Sequence, residues 1–215
     1  SLGFVVVALE GRGTSGRHKA FSDHYWGDPA GSNDLNDRVA GIKQLATMYP
    51  GMDLDRVGIL GPEGDTNIIF ALTDHSDFYK ASVISFFIDP RLGSPVYSET
   101  FEGVPIPGEK ESNVRHAVDC VSSLKGKLLL IDGLRNAFGA TFRLTDALEK
   151  ANKSFDMLIS TRGIQDPTGH IIKHSWDYMI EHLLGEKPPE EFVLRTGMEL
   201  MHDKILADIG KRKSD

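Results

Sequence analysis

The sequence predicts an α/β domain, doubly wound around a mostly parallel sheet, and three observations predict it. Short apolar runs rich in Val and Ile recur along the chain, and stretches of helical periodicity separate them. Strand and helix in alternation imply parallel strands joined by crossover helices, with both faces of the sheet covered. At 215 residues and 40% hydrophobic content, the chain can bury one sizeable core.

Taken in order, Phe4 to Leu9 reads as the first strand. Asn33 to Met48 reads as a helix with Ser32 or Asn33 as its N-cap and Leu35, Val39, Ile42 and Ala46 on one stripe. The run ending at Leu60 (Val57 to Leu60) is a buried strand, and Thr66 to Leu72 is the helix after it. Val83 to Ile88 is the third strand. From Asp89 to Gly126 the chain is rich in Pro and Gly in its first half and helical in its second, Asn113 to Leu124. Strands Leu128 to Ile131 and Phe155 to Ile159 bracket a helix with Leu144, Leu148 and Ala151 on one face. A last stripe comprises Trp176, Ile180 and Leu183. Gly185 and the Pro188-Pro189 pair stop that helix, since two prolines cannot continue it. Beyond them, Met198, Met201, Ile205 and Ile209 mark an amphipathic helix closed by Gly210 and Lys211-Arg212-Lys213.

Lys and Arg total 24 against 31 for Asp and Glu, a net charge of -7. That balance argues against a nucleic-acid or anionic-membrane partner, both of which attract basic surfaces. No apolar run approaches the roughly 20 residues of a membrane span, and no basic-then-apolar leader opens the chain. A soluble protein is expected, with the compartment open between periplasm and cytoplasm. Cys120 is the single cysteine, so no intrachain disulfide can form, and its setting suggests a packed helix residue.

The chemistry concentrates at one turn. Arg56 to Leu60 runs into Gly61-Pro62-Glu63-Gly64-Asp65 and then into a helix. This is the layout of a nucleophile elbow, G-x-S-x-G, in which a strained turn lifts a nucleophilic oxygen above a sheet. Glu63 stands where the serine would be. Asp65 puts a Cβ where close packing usually wants glycine.

The blocks GFVVVALEGRGTSGRHKAF (Gly3 to Phe21), VAGIKQLATMYPGMDLDRVGILG (Val39 to Gly61), KGKLLLIDG (Lys125 to Gly133), DALEKANKSFDMLI (Asp146 to Ile159) and DPTG (Asp166 to Gly169) together resemble the C-terminal α/β-hydrolase domain of the prolyl oligopeptidase family, in particular bacterial relatives of dipeptidyl peptidase IV. The resemblance implies an α/β-hydrolase sheet over 1–192 that lacks its first strands, followed by a helical extension over 193–215. It also implies a serine peptidase acting on peptides, a β-propeller in the parent protein as an intrachain partner, and compatibility with a homo-oligomer. No cofactor or metal is implied.

The resemblance also places three site positions, and the chain departs from the family at each. The nucleophile position is Glu63. The acid should follow the fourth strand, where the chain carries Arg135 and Asn136, and Asn136 is the closest equivalent. The histidine should precede Pro-Thr-Gly, where the chain carries Gln165 and Asp166, with Asp166 the equivalent. A serine hydrolase needs an alcohol, a base to take its proton and a carboxylate to orient that base. The expectation is therefore a hydrolase fold without hydrolase chemistry and with a scaffold or binding role. The alternative is an active serine-type hydrolase with a displaced triad, or one using Glu63 as a carboxylate nucleophile with His170 as base.

Two further patterns are weaker. His170 and His174, four apart, share a helix face at a spacing compatible with a metal pair, but no third ligand is evident and no metal is expected. Gly11 to Gly16 looks phosphate-friendly yet lacks the Gly-Lys-Ser/Thr ending of a P-loop, and it reads as a structural loop, with Ser15 a remote candidate for a relocated nucleophile.

Overall fold

The computed structural model describes residues 2–25, 33–61, 67–88, 99, 115–133, 139–161, 169–192 and 194. Within them four strands, β1 (Val57–Gly61), β2 (Tyr79–Ser85), β3 (Lys127–Gly133) and β4 (Asp156–Ser160), form one sheet in the order β1-β2-β3-β4. Every pairing is parallel. Ile59 lies opposite Ser82, Val83 opposite Leu129 and Ile131 opposite Leu158.

The helices are α1 (Lys19–Ser22), α2 (Asn33–Met48), α3 (Asn67–Asp74), α4 (Ala117–Cys120), α5 (Gly139–Lys150) and α6 (His170–Met179). Right-handed crossovers that step the strands in one direction put their connecting helices on one face. Accordingly α3, α4 and α5 share a core with α2, built on Ile59, Ile84, Leu128 and Leu130 of the strands. The other face, presented by Ala81, Val83, Leu129, Ile131 and Leu158, is covered by Ile171, Tyr178, Met179 and Leu183 of α6 and its extension. In β3 the apolar run is continuous because successive side chains feed opposite cores.

The helix stripes follow their expected spacing. In α2, Leu35 is fully buried, and Val39 and Ile42 pack against the same core. In α5, Leu144 and Leu148 are fully buried, and Ala151 packs just beyond the helix end. Each such Leu contributes about 2 kcal/mol relative to exposure. Gly58 lets α6 approach β1, since a Cβ there would lie 2.7 Å from both Leu183 Cδ1 and Met179 Sδ. Among the described residues, no helix is long and apolar enough to cross a membrane.

Four expectations need correction. Phe4 to Leu9 forms no ladder: Phe4 packs against the α6-side core, but Val5 and Val6 are 64% and 89% exposed, and the described sheet ends at β1. A β-prone run becomes a strand only where a neighbouring backbone takes its hydrogen bonds. The third predicted strand begins earlier and stops earlier, at Tyr79–Ser85, because Phe86 turns the chain with φ 60°. Phe86 and Phe87 are buried, so the apolar run continues past the strand for packing. Of the helix predicted at Asn113 to Leu124, the described residues from Arg115 on form one α-turn, α4, that tightens into a 3-10 turn at Val121–Ser123. Finally, Trp176 stands off the buried stripe and lies 6.4 Å from the Phe192 ring, while a π turn at Ile180–Leu184 buries Ile180 and Leu183. The N-cap candidate Ser32 and the helix predicted around Met198 to Ile209 lie outside the described residues.

Candidate functional site

Parallel pairing sends the carboxyl ends of all four strands to one edge of the sheet, the edge where open α/β sheets bind their ligands. Gly61 ends β1 opposite Ile84, Ser85 of β2 stands opposite Ile131, and Gly133 ends β3 opposite Ser160 of β4. The residues predicted to carry chemistry follow three of these ends. Glu63 falls between Gly61 and the start of α3 at Asn67. Arg135 and Asn136 fall between Gly133 and the start of α5 at Gly139. Gln165 and Asp166 fall between Thr161 and Gly169. All five lie outside the described residues, so the structure brings together the strand ends that precede them. With neighbouring strands about 4.8 Å apart, the β1 and β4 ends are separated by roughly 14 Å.

His170 is described. It is the first residue of α6, exposed, and its ring centroid lies 4.2 Å from that of His174 in an edge-to-face contact. Gly169 caps the helix with φ 70°, and a Cβ there would lie 2.6 Å from Leu194 Cδ2, so glycine suits the position twice over. Partial burial and the adjacent His170 hold the His174 imidazole below its usual pKa, against the pull of Asp177.

Asp132 lies one residue before the end of β3, 1% exposed, and its Oδ1 accepts the Gly133 N–H at 2.7 Å. It is a strand residue facing the α5 side, in the same register as Ile159.

The glycine loop at Gly11 to Gly16 is a clasp on α2. The Arg12 guanidinium donates from Nε to Asp37 Oδ2 at 2.8 Å and from Nη2 to Oδ1 at 2.9 Å, while the Arg12 backbone N–H donates to Oδ2 at 3.0 Å. These donors hold the Asp37 carboxyl below the usual carboxylate range. A Cβ on Gly11 would fall 1.7 Å from Asp34 Oδ1, so any larger residue there would have to displace the Asp34 side chain. Ser15 sits exposed on this clasp.

One feature of the sheet edge had no signal in the sequence. Phe86 holds a left-handed backbone, rare for a bulky residue, at the end of β2, and its N–H donates to the Ile131 carbonyl at 2.7 Å. No Gly or Asn marked it, and a run of apolar residues hid the turn.

The sequence profile of the prolyl oligopeptidase family matches residues 1–183. Human dipeptidyl peptidase 8 is 29% identical over 199 residues, 85% of this chain and 22% of that protein. The venom dipeptidyl peptidase 4 of Vespula vulgaris is 26% identical over 168 residues, 73% of this chain and 21% of that protein. The chain thus spans about a fifth of the length of these relatives. Among solved structures, Porphyromonas gingivalis dipeptidyl peptidase 4 superposes with a TM-score of 0.68 at 23% identity, over 81% of this chain and 26% of that one. The acylaminoacyl peptidase of Pyrococcus horikoshii gives 0.69 at 21% identity, over 85% of this chain and 32% of that one. These likenesses carry the fold. With a profile match over most of its length and parallel strand ends gathered as a hydrolase requires, the chain belongs to the prolyl oligopeptidase family.

Proposed function

We propose that this chain is a non-catalytic, serine-peptidase-like member of the family that keeps the hydrolase frame as a peptide-binding or scaffold domain. The observation that carries the proposal is the glutamate at position 63 of the sequence, between the end of β1 at Gly61 and the start of α3 at Asn67, where acyl transfer needs an alcohol. Asn136 and Asp166 at the other two positions remove the carboxylate that would orient a base and the base itself. A fold can persist while its site is lost. The relatives named dipeptidyl peptidases suggest peptides as the ligand class. A β-propeller of the parent protein or a second copy of the chain are the protein partners in keeping with this reading.

A fluorophosphonate probe tests the proposal directly, because it reports an activated serine without requiring the right substrate. The expected result is no labelling. Stoichiometric labelling would overturn the proposal and point instead to an active serine hydrolase with a displaced triad.

A further inference from the structure

We propose that His170 and His174 form a two-histidine chelate for a borderline divalent metal ion, Zn2+ or Ni2+, on the exposed face of α6. The residues stand one helical turn apart on that helix, both are exposed, and their ring centroids are 4.2 Å apart. Imidazoles at i and i+4 project to the same side, which is how paired helical histidines share a zinc ion. Zn–N bonds of about 2.0 Å in tetrahedral geometry place two ligand nitrogens roughly 3.3 Å apart, a separation that rings already in contact reach by rotation about their side-chain torsions.

The charges around the pair are mixed. Asp177 lies close enough to His174 to favour a positive charge there, although Lys173, ion-paired to Asp177 at 2.5 Å, opposes it. Among the described residues, no group of three or more His, Cys, Asp and Glu could hold a metal ion. The site is therefore a two-ligand chelate, weaker than four-ligand structural zinc, with its other positions open to water or to a donor atom of a bound molecule. It opens α6 directly after the segment that carries Gln165 and Asp166.

Isothermal titration of chelator-stripped protein with ZnCl2, and in parallel with NiCl2, tests the assignment. One site per chain is expected, weakening in acid because a protonated imidazole cannot bind a metal ion. His170→Ala and His174→Ala should each weaken it by at least the roughly tenfold that loss of a supporting partner alone can cost. His182→Ala, on the same helical row but against Tyr178, should leave it unchanged. Zn2+ should raise the melting temperature of the unmodified chain and not that of the His170→Ala/His174→Ala variant. Both histidines are exposed, so the double variant should keep its far-ultraviolet circular dichroism. Equal binding by the unmodified chain and the double variant, or no binding by either, would overturn the assignment.

Discussion

The Tyr178 hydroxyl donates to Asp156 Oδ2 at 3.1 Å and so ties α6 to β4, the edge strand of the described sheet. The bond joins the helix that begins at His170 to the strand that ends at Ser160. Its acceptor is a carboxylate, which strengthens it, but Asp156 is exposed, which weakens it. Tyr178→Phe should cost about 1 kcal/mol in urea unfolding, and a loss indistinguishable from zero would show that packing alone holds the helix.

Two buried tyrosines should make the domain sensitive to alkali. Burial pushes the Tyr79 hydroxyl up to about 12, and burial followed by the Asp156 carboxylate raises Tyr178 as well. In the unfolded chain both ionise near pH 10. Because the folded-state values are raised, this stability is fully present below about pH 10 and is lost as pH rises past it, when only the unfolded state sheds its protons. Linkage limits the slope to about 1.4 kcal/mol per pH unit for each tyrosine. Urea midpoints at pH 9, 10 and 11 should fall across the series, and Tyr79→Phe should flatten the fall. A Tyr79→Phe profile parallel to that of the unmodified chain would contradict this.

Gly126, before β3, has φ 93°, and a Cβ there would sit 2.7 Å from the Lys80 carbonyl oxygen and 3.2 Å from Leu72 Cδ2. Backbone on one side and a fully buried leucine on the other leave little room to give. Gly126→Ala should cost about 2 kcal/mol or more from strain and crowding together. Gly51→Ala is the control: no heavy atom lies within 4 Å of its Cβ position, and the expected change is within about 0.5 kcal/mol.

Ser82 in β2 is fully buried, and its Oγ has no hydrogen-bond partner among the described residues. A hydroxyl removed from water without a partner costs free energy that methyl does not. Ser82→Ala should therefore be neutral or stabilising by up to about 1 kcal/mol, read as a higher urea midpoint. Destabilisation beyond that range would reveal a bond that the hydroxyl makes.

Periodicity made the buried strands and long helices legible, because burial on two faces leaves a continuous apolar run and burial on one leaves a stripe. Thus α2 has its predicted bounds, and β1, β3 and β4 differ by a residue or two from theirs. Propensity could not say that Val5 and Val6 stay exposed without a ladder, since the partner strand is a matter of tertiary arrangement. Nor could it place the end of β2, where Phe86 takes a conformation that its side chain disfavours. The candidate site positions rest on the resemblance, which places them only as positions along the chain. The sheet edge follows from parallel pairing, whereas Glu63, Asn136 and Asp166 lie in connections for which no hydrophobic period exists to read. The contact of His170 with His174 follows from spacing alone, because one turn of helix brings the fourth residue overhead.

Restoring the alcohol alone should not restore the chemistry. Glu63→Ser would place a hydroxyl two residues after the end of β1, but serine near neutral pH is a weak nucleophile until an adjacent base takes its proton. The position expected for that base carries Asp166 and the one for its orienting acid carries Asn136, and members of a triad act as a unit, so one restored member recovers little of the combined effect. The described imidazole that follows Asp166 in the sequence is His170, which stands at the start of α6 with its ring against His174. The Glu63→Ser variant should therefore remain unlabelled by a fluorophosphonate probe, like the unmodified chain. If labelling appears in this variant, adding His170→Ala decides its source: loss of labelling would identify His170 as a base still in place, and persistence would place the base elsewhere. Either form of labelling would contradict the expectation that the single exchange leaves the site inert.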